Sequence, residues 1–354
     1  MNKPTSADLE LFKSLTPRGQ YAAVLEGLKG EEGQLSIKRK GSMTAAKNMN
    51  RRAFLASAGA LVAYPIWGKV PEDEKPLVRV GLVTDIHHAY LPEAWFDNGR
   101  FYDRALPRLE EAIKVFNERR SDLVIELGDF KDIAKKKDPK PGEDDRDKET
   151  VIKLTKEAEA VFAQFNGPRY HVFGNHDNDM LDKSEFTALC PNPGIPPEKT
   201  YYAFDQNGVT FIILDGNFNL KGEDYTGSKI NWDWRESLIP PTQIAWLKET
   251  LAAAKGHVVV CIHQRLDSGA RPLHRVANGA EVQKILADSQ KVAAVFQGHD
   301  HIGGYMKERG VGYYTLRAIV TGPQRENNAY AEAAVYPSGA VVVTGFAQAV
   351  TVHI

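Results

Sequence analysis

Cysteine and long hydrophobic runs are both scarce in this chain. The 354 residues include two cysteines, Cys190 and Cys261, which excludes a fold held together by several disulfides. Cys261 lies inside an apolar run and is expected to be a small core residue, with a single disulfide to Cys190 in an oxidising compartment as the alternative. The apolar stretch within residues 50–68 has about 15 residues, which is too short for a typical transmembrane helix.

An excess of positive charge is also missing. The formal net charge is −1 at pH 7. Residues 1–70 hold eleven Lys and Arg against five Asp and Glu, so the rest of the chain carries about seven more acidic than basic side chains. No basic stripe is interleaved with aromatic residues, as a nucleic-acid groove requires. We therefore expect no nucleic-acid partner, whereas a small anionic substrate needs positive charge only locally.

Five short polar motifs each follow an apolar, β-rich run typical of a buried strand. Ligands of open α/β sheets bind beyond the carboxyl ends of the strands, so the five loops are expected to meet at one site. Their Asp, His and Asn side chains are ligands that divalent metals use. In chain order the motifs are TDIHH at 84–88, GDFKD at 128–132, GNHD at 174–177, IHQ at 262–264 and GHDH at 298–301.

Each motif also has a purely structural interpretation. A GD pair after a strand is a common turn. His263, in a Val-rich run, would more often be a buried histidine bonded to the backbone. Two histidines separated by one residue at the end of a strand, His299 and His301, favour a metal site more strongly. All five motifs in one order favour the metal site over the structural interpretation.

The order and types of these motifs resemble the calcineurin-like metallophosphoesterase superfamily, whose pattern is DxH, GD, GNH[DE], a lone H and GHxH. The resemblance covers about residues 78–320. It implies an α/β fold, a four-layer α/β/β/α sandwich of two mixed sheets flanked by helices. It also implies two divalent metal ions, either Mn, Fe or Zn. One would be held by Asp85, His87 and His301, the other by Asn175, His263 and His299, and Asp129 would bridge them.

The same resemblance implies hydrolysis of a phosphodiester, phosphoanhydride or phosphomonoester bond by a metal-activated hydroxide. His176 would be the general acid for the leaving group, with Asp132 holding its tautomer. Ile133 replaces the Arg of the protein phosphatases, which argues against a phosphoserine phosphatase of that type. Asp132 also stands where purple acid phosphatases carry the Tyr that binds ferric iron, so a purple enzyme is not expected.

Segments near the C-terminus resemble one branch of this superfamily, the manganese-dependent ADP-ribose/CDP-alcohol diphosphatases. They are FQGHDHIGGY, YYTLRAIVTGPQ and VYPSG, together with GNHD and the YYAFD strand. That branch carries Gln where His87 stands here. The resemblance implies a small phosphorylated substrate, a nucleotide conjugate if the branch assignment holds.

Candidate substrate contacts are chosen by position, because their segments are expected to end at the site. They are Asn217, Arg265 and Tyr305. The long segment 217–241 is expected to select substrate, and its aromatic residues Tyr225, Trp232 and Trp234 offer faces for a base or ring, with packing onto the body as the alternative.

The other functional class open to this chain is a non-catalytic interaction module with the same fold. Such modules typically lose metal ligands or the general-acid histidine. The seven predicted ligands and His176 are all present, which favours an enzyme.

Strand-like runs alternate with helical periodicity, which predicts βαβ units. A hairpin is expected to turn at Asn207 and Gly208, and a second at 337–339. The charged segment 135–148 reads as a solvated insertion. The helical patterns lie at 101–118, 150–165, 241–254 and 279–288.

The segment 50–68 has Arg51 and Arg52 before its apolar stretch and resembles a twin-arginine export signal. It predicts recognition by the twin-arginine translocation machinery and a periplasmic or other extracytoplasmic location. Membrane attachment is expected only if the signal stays as an uncleaved anchor. A buried helix in a cytoplasmic protein is the alternative.

Three further divisions follow. Residues 1–49 are either an N-terminal extension or a consequence of start-codon choice, because Met43 and Met49 are alternative starts. Residues 69–77 are a linker, and residues 78–354 form the catalytic domain.

Overall fold

A computed structural model describes residues 74–91, 99–135, 146–226 and 233–354. The predicted export signal, the N-terminal extension, Trp232 and most of the charged segment 135–148 lie outside the described residues. Within the described ranges, no helix is both long enough and apolar enough to cross a bilayer.

Strands and helices alternate along the described residues. Segments α1, α2, α4 and α5 confirm the four predicted helices, and α3 was not predicted. The helices are α1 (Ala105–Arg119), α2 (Lys148–Phe162), α3 (Lys183–Leu189), α4 (Pro241–Ala253) and α5 (Gly279–Asp288). The strands are β1 (Val78–Val83), β2 (Leu123–Glu126), β3 (Arg169–His171), β4 (Tyr202–Gln206), β5 (Val209–Ile213), β6 (Val258–Ile262), β7 (Val292–Gln297), β8 (Gly304–Glu308), β9 (Val311–Thr315), β10 (Ala329–Val335), β11 (Val341–Ala347) and β12 (Val352–His353).

The strands form two mixed sheets. The first has the order β12-β11-β10-β1-β2-β3 and the second has the order β4-β5-β6-β7-β9-β8. In the first sheet β1, β2 and β3 are parallel, and in the second β5, β6, β7 and β9 are parallel. Parallel strands end at the same edge of a sheet, so the loops after β1, β2 and β3 share one edge and those after β6 and β7 share another.

In the part of the chain that the structure describes, three hydrophobic cores separate four layers of sheets and helices. Leu82, Phe211 and Phe296 belong to the core between the two sheets. Phe116 and Phe162 pack α1 and α2 onto the outer face of the first sheet, and a third core packs α4 and α5 onto the second sheet. Successive side chains of a strand point to opposite faces, so a buried strand contributes side chains to the cores on both faces of its sheet. This confirms the predicted α/β/β/α sandwich.

The two cysteines lie in different cores. Cys190 is buried with the helices of the first sheet and Cys261 is buried between the sheets, and both are free thiols. The disulfide alternative is therefore not realised.

The first predicted hairpin turns where the sequence placed it. Strands β4 and β5 pair antiparallel, and the two residues between them have φ angles of 51° at Asn207 and 82° at Gly208. Two consecutive positive φ angles define the turn that matches the twist of a hairpin, and Asn-Gly is its preferred sequence. The second hairpin joins β10 and β11, as predicted.

Candidate metal centre

Hydrogen bonds from main-chain amides tie the first motif loop to the second and to the fifth. The amides of Asp85 and His87 donate to the carbonyl oxygens of Gly128 and Asp129, both at 2.9 Å. The amide of His299 donates to Asp85 Oδ2 at 3.1 Å. Loops from both sheets thus form one assembly at the carboxyl ends of the strands.

Four of the predicted ligands adopt a backbone conformation that most residues avoid. The φ angles are 52° at Asp85, 47° at His87, 61° at Asp129 and 64° at His299. Positive φ is uncommon outside glycine, although Asp, Asn and His tolerate it better than other residues, and it clusters at functional sites. The bonds between loops hold these residues in place, and the conformation turns their side chains toward a common centre.

Two motif glycines permit this close approach. A Cβ atom at Gly174 would overlap the amide nitrogen of Asp129, and one at Gly298 would overlap Thr84 Oγ1. The glycines of GNHD and GHDH are therefore required by packing between the loops.

The side chains converge in two groups that share one carboxylate. Asp85, His87 and His301 place ligand atoms within 4.8 Å of one another, and so do Asp129, His263 and His299. Asp129 Oδ2 lies 3.5 Å from His87 Nε2 and 3.1 Å from His263 Nε2. Its carboxylate therefore lies between the groups, where a bridging ligand is expected. Asn175 lines the same cavity.

The chemistry of this donor set fits divalent metals. His299 is buried and its Nε2 makes no hydrogen bond. Burial lowers the pKa of His299 and His301 and keeps both rings neutral. Burial alone would raise the pKa of Asp85, but His301 and His87 outweigh it and hold that pKa well below its usual value. Neutral imidazoles and ionised carboxylates are the forms that bind metal.

A backbone contact orients a further ligand. His263 Nδ1 lies 2.8 Å from the carbonyl oxygen of Leu127, so the ring N–H donates there and Nε2 faces Asp129. Such support of the second ring nitrogen is usual for metal-binding histidines.

His176 faces the cavity and has two carboxylate neighbours. Its Nδ1 lies 2.7 Å from Asp179 Oδ2 and 3.2 Å from Asp132 Oδ1. Burial opposes a charge on this ring, but Asp132, Asp179 and Asp129 outweigh burial and raise the pKa of His176 well above its ordinary value. The raised pKa favours the protonated imidazole, which is the form that a general acid requires.

Asp177 and Lys131 hold the turn that carries His176 in place through hydrogen bonds. Asp177 accepts hydrogen bonds from the amides of Asp129, Phe130 and Gly174 at 2.8–3.0 Å and so joins two loops. Buried Lys131 donates to the carbonyl oxygens of His176 at 2.5 Å and Asp179 at 2.6 Å.

The metal-ligand groups open into a cavity of about 510 Å³. One wall contains Trp234 and His274, whose rings lie 6.0 Å and 4.8 Å from the ring of His299. Other lining residues include Arg100, whose Nη1 donates to Asp132 Oδ2 at 2.8 Å. The cavity is lined by Leu91, Arg100, Tyr102, Asp129, Asp132, Ile133, Asn175, His176, Trp234, His274, His299 and His301.

Sequence reasoning missed Arg100, Tyr102, His274 and Asp179. The first three lie in segments without a motif. Asp179 stands three residues after His176 and could have been suspected from that spacing alone. Trp234, one of three aromatic residues offered either for stacking or for packing of the loop, lines the cavity. Tyr225 is buried, and its hydroxyl donates to the carbonyl oxygens of Asp233 and Glu236.

None of the three predicted substrate contacts lines this cavity. The amide of Asn217 is buried, donates to Phe173 O at 2.7 Å and accepts from Gln264 at 2.6 Å. Arg265 is paired with Asp267 and Asp300. Tyr305 lies on β8 and packs against the core between the sheets. Their roles as substrate contacts stay predictions.

Carboxylates and imidazoles that converge on one cavity from two facing sheets are the donor set of a metal-dependent phosphoesterase. The sequence profile of the calcineurin-like phosphoesterase family matches residues 78–303, and the chain belongs to that family. The resemblance drawn from the motifs is confirmed.

Two relatives found by sequence are named diphosphatases. The manganese-dependent ADP-ribose/CDP-alcohol diphosphatase of Oryza sativa subsp. japonica is 26% identical over 306 residues, covering 76% of this chain and 91% of the relative. The protein of the same name from Arabidopsis thaliana is 25% identical over 294 residues, covering 70% and 88%. Among solved structures, a dimetal phosphatase from Danio rerio aligns with a TM-score of 0.66 and 19% identity, covering 79% of this chain and 99% of that one, and shows the same fold.

Proposed function

We propose that this phosphoesterase holds two divalent metal ions and hydrolyses the phosphoanhydride bond of a small nucleotide conjugate. The observation that carries the proposal is the position of Asp129, whose Oδ2 lies within 3.5 Å of ring nitrogens from both ligand groups. A pair of metal ions about 3.5–4 Å apart needs such a shared carboxylate to bridge them.

The ligand sets follow from the two groups. One metal would be held by Asp85, His87 and His301, and the other by Asn175, His263 and His299, with Asp129 common to both. Nitrogen and oxygen donors suit Mn²⁺, Fe²⁺ and Zn²⁺. We favour manganese because the Oryza and Arabidopsis relatives are named as manganese-dependent enzymes.

Bound divalent ions would supply positive charge to the phosphoryl oxygens and lower the pKa of a water. That water releases one proton to solvent, and its oxygen forms a bond to phosphorus while the bond to the leaving oxygen breaks. His176 donates its proton to that oxygen and regains a proton from solvent. Its raised pKa keeps it in the donor form before the step.

Arg100 brings a fixed positive charge to the cavity that His176 also lines. The residue is buried, with 9% of its surface exposed. Ile133, which stands where the protein phosphatases carry an Arg, lines the same cavity. Arg100 therefore brings a guanidinium from another segment into the pocket, where it can bind a phosphoryl oxygen as charge develops.

The substrate class rests on the cavity wall and on the relatives. Trp234 and His274 form a ring-bearing wall beside His299, and such a wall can stack on a nucleobase. The Oryza and Arabidopsis relatives are named as diphosphatases of ADP-ribose and CDP-alcohols.

The test is hydrolysis by the full chain after chelation and again after addition of Mn²⁺. ADP-ribose, CDP-choline, p-nitrophenyl phosphate and its bis-ester would be compared. We expect manganese-dependent turnover with the two diphosphates preferred, and its loss in Asp129→Asn but not in Asp205→Asn, whose carboxylate bonds Thr210 on the β4–β5 hairpin. A preference for the monoester or the bis-ester would refute the substrate class, and no turnover despite two bound metals would support an interaction module.

We also propose export through the twin-arginine pathway, which rests on Arg51 and Arg52 and the apolar stretch after them. Fractionation of cells that express the full chain would test it. Replacing both arginines with lysine should shift the protein from the extracytoplasmic fraction to the cytoplasm. An unchanged distribution would refute the proposal.

A further inference from the structure

Two carboxylates compete for one ring nitrogen of His176. We propose that Asp179, and not Asp132, orients His176 as proton donor, while Asp132 supports the metal ligand His87. This inference rests on the proposed role of His176 as general acid. It departs from the assignment that the family resemblance implied for Asp132.

The distances favour Asp179. A ring N–H makes one strong hydrogen bond, and the contact to Asp179 Oδ2 is 2.7 Å, whereas the contact to Asp132 Oδ1 is 3.2 Å. Asp179 is only three residues from His176, and its main chain is fixed at both polar atoms. Its amide donates to His176 O at 2.9 Å, and its carbonyl oxygen accepts from Lys131 at 2.6 Å.

Asp132 already has other partners. Its Oδ1 accepts from the amide of Ile133 at 2.7 Å, and its Oδ2 accepts from Arg100 at 2.8 Å. The same Oδ2 lies 3.3 Å from His87 Nδ1. Both oxygens are therefore engaged without His176.

The position of His87 indicates that Asp132 supports the ring of this metal ligand. His87 Nε2 lies 3.7 Å from Asp85 Oδ1 and 3.5 Å from Asp129 Oδ2, so this nitrogen faces the metal-ligand groups. A metal bound at Nε2 would require the ring proton on Nδ1, where Asp132 Oδ2 at 3.3 Å is the acceptor and Arg100 Nη1 lies 3.2 Å away. A carboxylate behind a metal-binding histidine fixes its tautomer and orientation.

The division of roles predicts different defects for two charge-neutral substitutions. In Asp179→Asn, His176 should lose its orientation, so esters with poor leaving groups should suffer and metal affinity should not change. In Asp132→Asn, the dissociation constant for Mn²⁺ should rise roughly 10–100-fold, and saturating Mn²⁺ should restore turnover of good and poor leaving groups equally.

The experiment compares the full-length protein with the variants Asp179→Asn, Asp132→Asn, His176→Asn and Asp182→Asn. Asp182→Asn is the matched control, because it removes the same charge three residues away at the N-cap of α3, where Asn caps equally well. The substrates are the 4-nitrophenyl and phenyl methyl phosphodiesters, which differ only in the leaving group. Bound manganese is measured in parallel.

We expect Asp179→Asn to lower kcat for the phenyl ester at least about tenfold and for the 4-nitrophenyl ester less than about threefold, as loss of an oriented acid should. The quantity compared is the ratio of kcat for the 4-nitrophenyl ester to kcat for the phenyl ester. The assignment would be overturned if this ratio were as in wild type in Asp179→Asn but changed in Asp132→Asn at saturating Mn²⁺. If the same ratio were as in wild type in His176→Asn, the general-acid role of His176 would itself be refuted.

A second measurement does not depend on turnover of these esters. In the zinc-loaded protein, ¹⁵N NMR should show a strongly hydrogen-bonded Nδ1–H of His176. The signal should persist in Asp132→Asn and disappear in Asp179→Asn. The reverse pattern would overturn the assignment even if neither diester is a substrate.

Discussion

The carboxylate of Asp129, which follows β2 in the first sheet, lies 3.1 Å from Nε2 of His263, which follows β6 in the second sheet. The candidate metal centre thus joins side chains from both sheets. Metal bound there would hold the two halves of the sandwich together, because a ligand that binds only the folded state stabilises that state.

Chelation should therefore lower the melting temperature, and Mn²⁺ should restore it. At a free metal concentration about 100 times the dissociation constant, each site would add about 2.7 kcal/mol to the free energy of unfolding. Differential scanning calorimetry across a Mn²⁺ titration measures this. Asp129→Asn should show a much smaller rise, and an equal rise in that variant would place the stabilising metal elsewhere.

Gly298→Ala should weaken metal binding and destabilise the fold, because the added methyl group would overlap Thr84 Oγ1. Overpacking of this kind costs about 1–3 kcal/mol. Combining it with Thr84→Ala removes the nearest atom and should recover part of the loss in urea unfolding and manganese binding. Thr84→Ala alone is the control, and an absence of recovery would mean that the glycine serves another purpose.

Removal of the Arg100 guanidinium should impair turnover more than metal binding. Arg100→Ala is expected to lower kcat by about 10²–10³, the usual effect of losing one donor to a developing charge, with bound manganese unchanged. Arg104→Ala, four residues on and half exposed, is the control. If metal content falls with activity, the role of Arg100 is to hold Asp132 and His87 instead.

Stability should decline in alkaline solution through His171. Burial would lower the pKa of His171, but the nearby carboxylates of Glu126, at 3.5 Å, and Glu159, at 3.1 Å, outweigh it and raise the pKa to about 9. The folded state thus holds a proton that the unfolded state releases near pH 6.5, so this stabilisation is complete below about pH 6.5 and is lost as the pH rises through about 9.

Urea unfolding of wild type and His171→Gln between about pH 7 and about pH 9.5 tests this expectation. His171→Gln should have a lower free energy of unfolding than wild type at about pH 7. Its free energy of unfolding should also fall less than that of wild type as the pH rises. His257→Gln, which removes a histidine that bonds Pro337 O in an exposed position, is the control. Parallel curves for wild type and His171→Gln would refute the assignment.

The sequence was most informative where a residue type is demanded locally. The Asn207-Gly208 turn, the buried strands and the polar residues after them all depend on nearby chain, and the structure has them as predicted. Arg100 and His274 reach the cavity from loops whose course depends on the tertiary fold, so no local pattern identified them.

The candidate substrate contacts illustrate the other difficulty. Asn217 follows a strand near the site, as reasoned, but a buried amide must satisfy its own hydrogen bonds, and Phe173 and Gln264 provide them. Proximity in sequence to a site does not show whether a polar side chain contacts substrate or makes hydrogen bonds inside the protein.

The positive φ angles at Asp85, His87, Asp129 and His299 limit how this family member can change over time. The main chain there accepts Gly, Asn, Asp or His with little strain and rejects β-branched residues. A descendant that lost its metals could therefore keep its fold most easily by exchanging ligands for Asn or Gly. Backbone geometry and metal chemistry select overlapping residues, so the course of these loops could outlast the metal site that they build.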